Sequence, residues 1–355
     1  MKILITGNMG YIGPLVVNQL RNSYPDAALV GLDLGFFANC LTNSGILPEC
    51  NLDIQYFQDI RTFTDAQLDE VDAIVNLAAI SNDPMGKTFE DVTLQVNYEA
   101  GIELAKKAKS KGVKRFVFAS SCSMYGSADD APKTEDSPLN PLTAYARSKV
   151  FTEKALKELA DGTFVVTCLR FSTACGMSPR LRLDLVLNDF VAAAVSSKEI
   201  TILSDGTPWR PLINVKDMAR AIDWAIGRDA AQGGKCLSVN VGSNDWNYQV
   251  RDLAEAVASV IPGITVSIDK DAMPDKRSYR VSFDLFKKLA PHHQPQCTLT
   301  DSIEELRNGL QAMDFRDTNF RESNLIRLKV LNRLCADGLL SQDLRWESND
   351  SFASS

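Results

Sequence analysis

Lys2-Ile-Leu-Ile-Thr6 is a short apolar run that breaks into Gly7-Asn-Met-Gly-Tyr-Ile-Gly13 and then into a helix-forming stretch. A strand that feeds a glycine-spaced turn and opens a helix is how a parallel sheet with crossover helices begins. Further runs rich in Val, Ile, Phe and Leu extend the pattern, with candidate strands at Ala28–Leu32, Ile54–Phe57, Ala73–Leu77, Arg115–Ala119 and Val165–Arg170. Gly13–Asn22, Val92–Lys111 and Leu142–Leu159 read as helices between them. The expectation is an α/β fold, a Rossmann-like doubly wound parallel sheet, with a smaller C-terminal substrate-binding lobe.

After Arg170 the order loosens. A polar loop at Met177–Leu183 precedes a helix near Leu185–Ser196, a strand at Ile200–Leu203, and helices near Val215–Ile226 and Asp252–Val260. The pattern divides the chain into a sheet domain over 1–170, a lobe over 171–315 interleaved with the sheet, and a helical extension over 316–355. In that extension Leu325, Leu328, Leu331 and Leu334 recur at helical spacing, which predicts a packing or dimer-contact helix, and Ser348–Ser355 is expected to fray.

Composition removes several classes of function. The chain has 355 residues, a formal net charge of -7 and only two histidines, His292 and His293, side by side. That charge opposes general binding to nucleic acid or an anionic membrane. A histidine-dependent hydrolase triad or a histidine-rich metal site lacks its ligands, so no metal is expected. Eight cysteines without a CxxC pair suit reduced thiols. With no signal-peptide pattern and no run of about 18 apolar residues, the expected location is cytoplasmic.

Two constellations carry chemistry. Gly7, Gly10 and Gly13 allow a pyrophosphate to approach backbone at a helix N-terminus, and Asp33 closes the second candidate strand, where a carboxylate accepts ribose hydroxyls and selects NAD over NADP. Tyr145 and Lys149 stand one turn apart on a helix, where a buried cation favours the phenolate of a neighbouring tyrosine. Upstream, Ser120-Ser-Cys-Ser-Met-Tyr-Gly126 lies at the carboxyl end of a strand, where ligands of such sheets bind.

Together with Asn76-Leu-Ala-Ala79 and Arg210-Pro-Leu-Ile-Asn-Val-Lys-Asp217, these motifs resemble the extended short-chain dehydrogenase/reductase family, the NAD-dependent nucleotide-sugar epimerases and dehydratases, over roughly Met1 to Phe315. The resemblance implies NAD as cofactor, a nucleotide-diphosphate sugar as substrate, and a homodimer in which Val92–Lys111 and Leu142–Leu159 pair between subunits. It assigns Ser121, Tyr145 and Lys149 to catalysis. For the cofactor it points to Gly7, Asn8, Met9, Gly10, Tyr11, Ile12, Gly13, Asp33, Asp59, Ile60, Leu77, Ala78, Ala79 and Lys149. For the substrate it points to Ser81, Asn82, Ser121, Cys122, Ser123, Tyr145, Asn188 and Arg210. Asn97 helps to shape the active site in this reading, and Asp217 is a capping or orienting carboxylate. Asp83, Arg180 and Arg182 lie among substrate-side segments, each arginine equally suited to a solvated surface.

Two departures bear on the reaction. Asn8 stands where many relatives carry glycine, and Cys122-Ser123 stands where the 4,6-dehydratases carry an Asp-Glu acid-base pair. The second departure disfavours water elimination and leaves a 4-epimerase as the expectation. A dehydratase, decarboxylase or keto-sugar reductase is the alternative on the same scaffold, and a non-catalytic NAD-binding regulatory protein is the alternative from another class.

Overall fold

The computed structural model describes residues 1–42, 45–127, 131–268 and 278–347, so the expected fraying of Ser348–Ser355 lies outside the described residues. Among the described residues twelve strands form three sheets. They are β1 (Lys2–Thr6), β2 (Ala28–Asp33), β3 (Ile54–Phe57), β4 (Ala73–Asn76), β5 (Arg115–Ser121), β6 (Val165–Phe171), β7 (Thr173–Cys175), β8 (Glu199–Ile202), β9 (Trp209–Asn214), β10 (Cys236–Val241), β11 (Asn247–Gln249) and β12 (Thr265–Ile268). The main sheet has seven strands in the order β10-β6-β5-β4-β1-β2-β3, and every neighbour pair is parallel. Two small sheets, β11-β9-β7 and β12-β8, lie beside it.

The helices are α1 (Gly13–Ser23), α2 (Asp83–Thr88), α3 (Glu90–Leu94), α4 (Gly101–Ser110), α5 (Ala144–Leu159), α6 (Val186–Ser196), α7 (Val215–Gly227), α8 (Val250–Val260), α9 (Asp284–Leu289), α10 (Leu299–Ala312) and α11 (Arg327–Ala336). They cover both faces of the main sheet because its strands are apolar on both sides. Ile3 and Ile5 of β1 enter one buried layer with Val16, Val17 and Leu20 of α1, while Leu4 enters the other with Leu104 and Ala105 of α4 and Leu331 of α11. This is the doubly wound arrangement the sequence implied, with strands in the order that creates a crevice between β1 and β4.

Three features depart from the expected pattern. The predicted helix Val92–Lys111 is interrupted by a π-helical stretch, Gln95–Ala100. Strand β10 comes from the second half of the chain, yet it completes the main sheet beside β6. Helix α10, with Ile303, Leu306 and Leu310 buried, has no counterpart among the elements expected from periodicity. Among the described residues no helix is long and apolar enough to cross a membrane.

Candidate active site

A cleft of about 480 Å³ opens at the carboxyl ends of β1, β2, β4 and β5 and runs into the second lobe. Its first wall is the glycine turn. Gly7 has φ +75°, and a Cβ there would lie 2.6 Å from the Ala78 nitrogen, so the turn and the end of β4 meet at a distance only glycine permits. Gly13 abuts the Asn8 backbone in the same way, which packs the start of α1 against the turn. The residue that precedes α1 makes no side-chain cap, and an uncapped helix N-terminus facing a cleft accepts an anion.

Asp33 is held beneath this turn. Its carboxylate accepts the Met9 N–H at 3.0 Å and the Gly35 N–H at 2.7 Å. Burial pushes its pKa up, and those two amides pull it back. Asp59, Ile60, Leu77, Ala78 and Ala79 continue the same wall. The Asp59 carboxylate is ion-paired to Arg61 at 2.6 Å, and Ile60 beside it is buried in the core at the cleft wall.

Two expected cofactor residues do not reach the cleft. Asn8 is turned under the sheet, where its Nδ2 donates to Gln55 Oε1 at 2.6 Å above Gly31. It fills the space a glycine would leave empty. The Met9 side chain is buried, and Met9 acts only through the N–H that Asp33 accepts.

At the other end stand Ser121, Tyr145 and Lys149. Thr143 caps α5 through the Ala146 N–H, which fixes where the helix starts and so where Tyr145 and Lys149 point. The Ser121 hydroxyl shares a hydrogen bond with the Tyr145 phenol and also accepts the Ser123 N–H at 3.1 Å. Burial pushes the phenol up to about 12; Asp83 adds to that, while Ser121 and Arg182 pull it down. Lys149 is 3 % exposed, donates to the Ala119 carbonyl at 2.7 Å, and lies 5.4 Å from the centre of the Tyr145 ring. Burial lowers its pKa to about 7 against the opposing pull of Glu153. The helical spacing predicts that Lys149 favours the phenolate, and its ammonium does lie close to the ring; Arg182 adds a second positive pull on the phenol.

Glu153, one turn further along α5, anchors this face. Its carboxylate pairs with Arg170 at 2.8 Å and accepts the Ser120 and Ser238 hydroxyls, joining β5, β6 and β10 to the helix. It is absent from the residues expected at the site, although its spacing from Tyr145 and Lys149 was the available signal.

Further along the cleft, where substrate contacts were expected, lies a buried polar network. Arg182 grips both oxygens of Asp184 and donates to the Ser81 hydroxyl at 2.9 Å, and Asp184 accepts Asn82 Nδ2 at 2.8 Å. Asn82 holds φ +103° while its side chain caps α2. Arg180 and Arg182 are 1 % and 6 % exposed, which overturns the solvated-surface alternative for both; Arg180 is paired with Glu49. Ser81, Asn82, Asp83, Ser123 and Arg210 line the cleft, and the Ser123 hydroxyl is buried without a hydrogen-bond partner among the described residues.

Cys122 and Asn188, both expected at the substrate, are elsewhere. Cys122 is fully buried with its thiol on the Arg170 carbonyl, and burial raises its pKa strongly. It opens the 3-10 turn Cys122–Tyr125, in which Met124 and Tyr125 are buried with it. Asn188 spends its amide on Tyr11, Arg182 and Gly176, bracing the glycine turn against the second lobe. Asn97, within the π-helical stretch, clamps the Ile80 backbone by both its N–H and carbonyl, and so shapes the cleft without lining it. Asp217 accepts the Gln296 and Cys297 N–H groups, an orienting role. Among the described residues no cluster of His, Cys, Asp or Glu could hold a metal ion.

The glycine cradle, the uncapped helix start and the buried carboxylate after β2 fit a dinucleotide. Comparisons with known proteins agree. The chain is 25% identical to the low-salt glycan biosynthesis protein Agl12 of Haloferax volcanii, over 86% of this chain and 96% of that protein. It is 28% identical to the UDP-glucose 4-epimerase of Lactobacillus helveticus, over 78% of this chain and 87% of the other. Its fold matches the structure of MoeE5 in complex with UDP-glucose and NAD with a TM-score of 0.74 at 24% identity, covering 88% of this chain and 99% of that one. The family model described as the NAD dependent epimerase/dehydratase family matches residues 3–242, and the chain belongs to that family.

Proposed function

We propose that the chain is an NAD-dependent nucleotide-sugar epimerase that works through a transient 4-keto sugar. The observation that carries this reading is the Ser121–Tyr145 pair in one cleft with the glycine turn, while Cys122 is withdrawn into the core at a position where dehydratases need an acid. NAD, when bound, supplies a hydride acceptor that later returns the hydride, so none is consumed.

Tyr145 takes the proton of the sugar C4 hydroxyl and later gives it back. Ser121 donates a hydrogen bond to the oxygen that becomes the ketone. Lys149 holds the nicotinamide ribose and favours the Tyr145 phenolate, and Arg182 adds to the positive field around it. Arg210 meets the substrate diphosphate at the edge of the cleft, and the unpartnered Ser123 hydroxyl is oriented toward the sugar. The second lobe, 171–315, closes on the nucleotide sugar.

The test is incubation with a panel of nucleotide sugars, UDP-glucose first, in deuterated water without added cofactor, read by mass spectrometry and proton NMR. A new diastereomer of unchanged mass supports the reading. Deuterium uptake, or loss of water or carbon dioxide, refutes it in favour of a dehydratase or decarboxylase. Silence until NADH or NADPH is supplied identifies a reductase, and binding without any turnover a regulatory protein. Tyr145→Phe should lower turnover by about 10²–10⁴-fold; unchanged activity would sink the scheme.

The eight free thiols favour a reducing, cytoplasmic location, which recovery of the chain outside the cytoplasm would refute. We also propose a homodimer in which Val92–Lys111 and Leu142–Leu159 pair between subunits, where Phe151 is 40% exposed beside Tyr98. Phe151→Glu should then sediment as a monomer, and a monomeric wild type at tens of micromolar excludes the dimer.

A further inference from the structure

Helix α11 and its flanks span the cofactor end of the cleft. On one side, the Leu325 carbonyl accepts the Leu183 N–H at 2.8 Å, and Arg327 Nη2 donates to the Arg180 carbonyl at 2.7 Å. On the other, Trp346 Nε1 donates to the Leu34 carbonyl at 2.8 Å, and Arg61 donates to the Asp343 and Leu344 carbonyls at 2.7 and 2.9 Å. Between these anchors Arg327, Leu331 and Leu344 line the cleft beside Asp33, Phe36 and Phe37. The family match ends at residue 242, so this strap lies outside it.

Arg327 has an unusual position for a cation. It is 2 % exposed, its guanidinium lies 4.5 Å from the centre of the Phe37 ring, and the Cys40 thiol sits beside it. Its Nη1 has no hydrogen-bond partner among the described residues. The nearby carboxylates are already committed, Glu49 to Arg180 and Asp184 to Arg182. Burial, with Arg182 and Arg180 adding like charge, pulls the Arg327 pKa down to about 10. A buried guanidinium with an unsatisfied donor costs stability, and the expense is recovered where an anion arrives.

We propose that Arg327 is a ligand for a phosphate of the bound dinucleotide, presented by a C-terminal strap that closes over the cofactor. The proposal rests on the NAD-binding reading of the cleft. A diphosphate could also come from the nucleotide sugar. The surroundings favour the dinucleotide, because Phe36 and Phe37 follow β2 directly and Asp33 is bonded to the glycine turn itself. Planar guanidinium donors suit phosphate oxygens better than an ammonium does.

The experiment uses full-length Arg327→Gln and Arg327→Lys, stripped of NAD, with NAD and UDP titrated separately by calorimetry and NAD release followed by stopped flow. Arg327→Gln should bind NAD about ten- to a hundred-fold more weakly, the loss of a charge-assisted hydrogen bond, with UDP affinity within twofold of wild type. The stripped variant should melt within a few degrees of stripped wild type, which a purely structural arginine would not allow. Trp346→Ala, which unlatches the strap without removing Arg327, should speed NAD release by about tenfold or more. If the glutamine chain does not fold, Arg327→Lys keeps the charge and loses Nη1, and reads the same loss of NAD affinity. Unchanged NAD affinity overturns the proposal, as does a loss confined to UDP, which would move the phosphate to the substrate. A wild type that binds no NAD at all would instead overturn the reading of the cleft.

Discussion

Replacing Glu153 by Gln removes the charge that balances Arg170 inside the sheet while keeping the side chain's shape. Both side chains are 7% exposed, and the carboxylate receives Arg170 Nε and Nη2 together with the Ser120 and Ser238 hydroxyls. Breaking a pair this buried leaves an uncompensated guanidinium, which costs about 3–5 kcal/mol; the amide oxygen still accepts one bond, so the lower end, about 3 kcal/mol, is expected. Against a total of about 5–15 kcal/mol, that is a large fraction of the fold's stability. The assay is urea unfolding of the NAD-free protein at pH 8, reading the midpoint at constant slope. The companion Glu153→Leu/Arg170→Met should recover much of the loss, because neither charge is then left alone. A single-variant loss under about 1 kcal/mol, the size of a surface pair, would refute the reasoning. Glu153 is also the group that holds the Lys149 pKa up, so the glutamine variant should carry a neutral Lys149 at lower pH than wild type.

Gly7→Ala should cost at least about 1–2 kcal/mol from the left-handed backbone alone, with further loss as Cβ displaces Ala78, and NAD binding should fail with it. A wild-type urea midpoint in that variant refutes the close approach. Lys149→Met should flatten the pH dependence of stability. The Lys149 pKa is about 7 in the folded, NAD-free protein against an ordinary 10.5 for an open chain, so the unfolded chain binds the extra proton between those values. Wild-type stability from this group therefore rises from about pH 7 to pH 10.5, and the methionine variant lacks that rise. Equal changes in stability for the two proteins between about pH 6.5 and pH 9.5, measured by urea unfolding, would contradict it.

The first six strands were legible because each is a short run rich in Val, Ile, Leu or Phe, and their ends shifted by no more than two residues. Tyr145 and Lys149 share a helix face as their spacing implied, and Ser121, singled out by the family resemblance, meets them in one cleft, since a strand end and a capped helix fix their directions locally. What sequence could not deliver is which neighbour each side chain meets. Asn8 is indistinguishable from a cofactor contact until Gln55, from a distant strand, takes its amide. Cys236–Val241 carries Ser and Asn at alternate positions, the pattern of a half-exposed strand, so its sequence does not mark it as a member of the buried main sheet. Helix α10 contains Gly309, a helix-weakening residue against which the Met177 thioether packs closely. The leucine spacing over Leu325–Leu334 announces a helix, which forms two residues later as Arg327–Ala336, but that periodicity reports only the apolar face and is silent about Arg327.

Strand β10 has a consequence for how the chain reaches its native state. Until residue 241 has left the ribosome, β6 is the bare edge of a six-stranded sheet, with the N–H and C=O groups that will pair with β10 open to any other extended chain. The nascent sheet must wait through the synthesis of α6, β8, β9 and α7 before its last strand arrives. Parallel pairing across such a separation is slow, so the cofactor half cannot finish folding as an N-terminal unit. Chaperone demand should therefore peak while residues 172 to 235 are being made, and a circular permutant that places β10 before β1 would shorten that exposed interval.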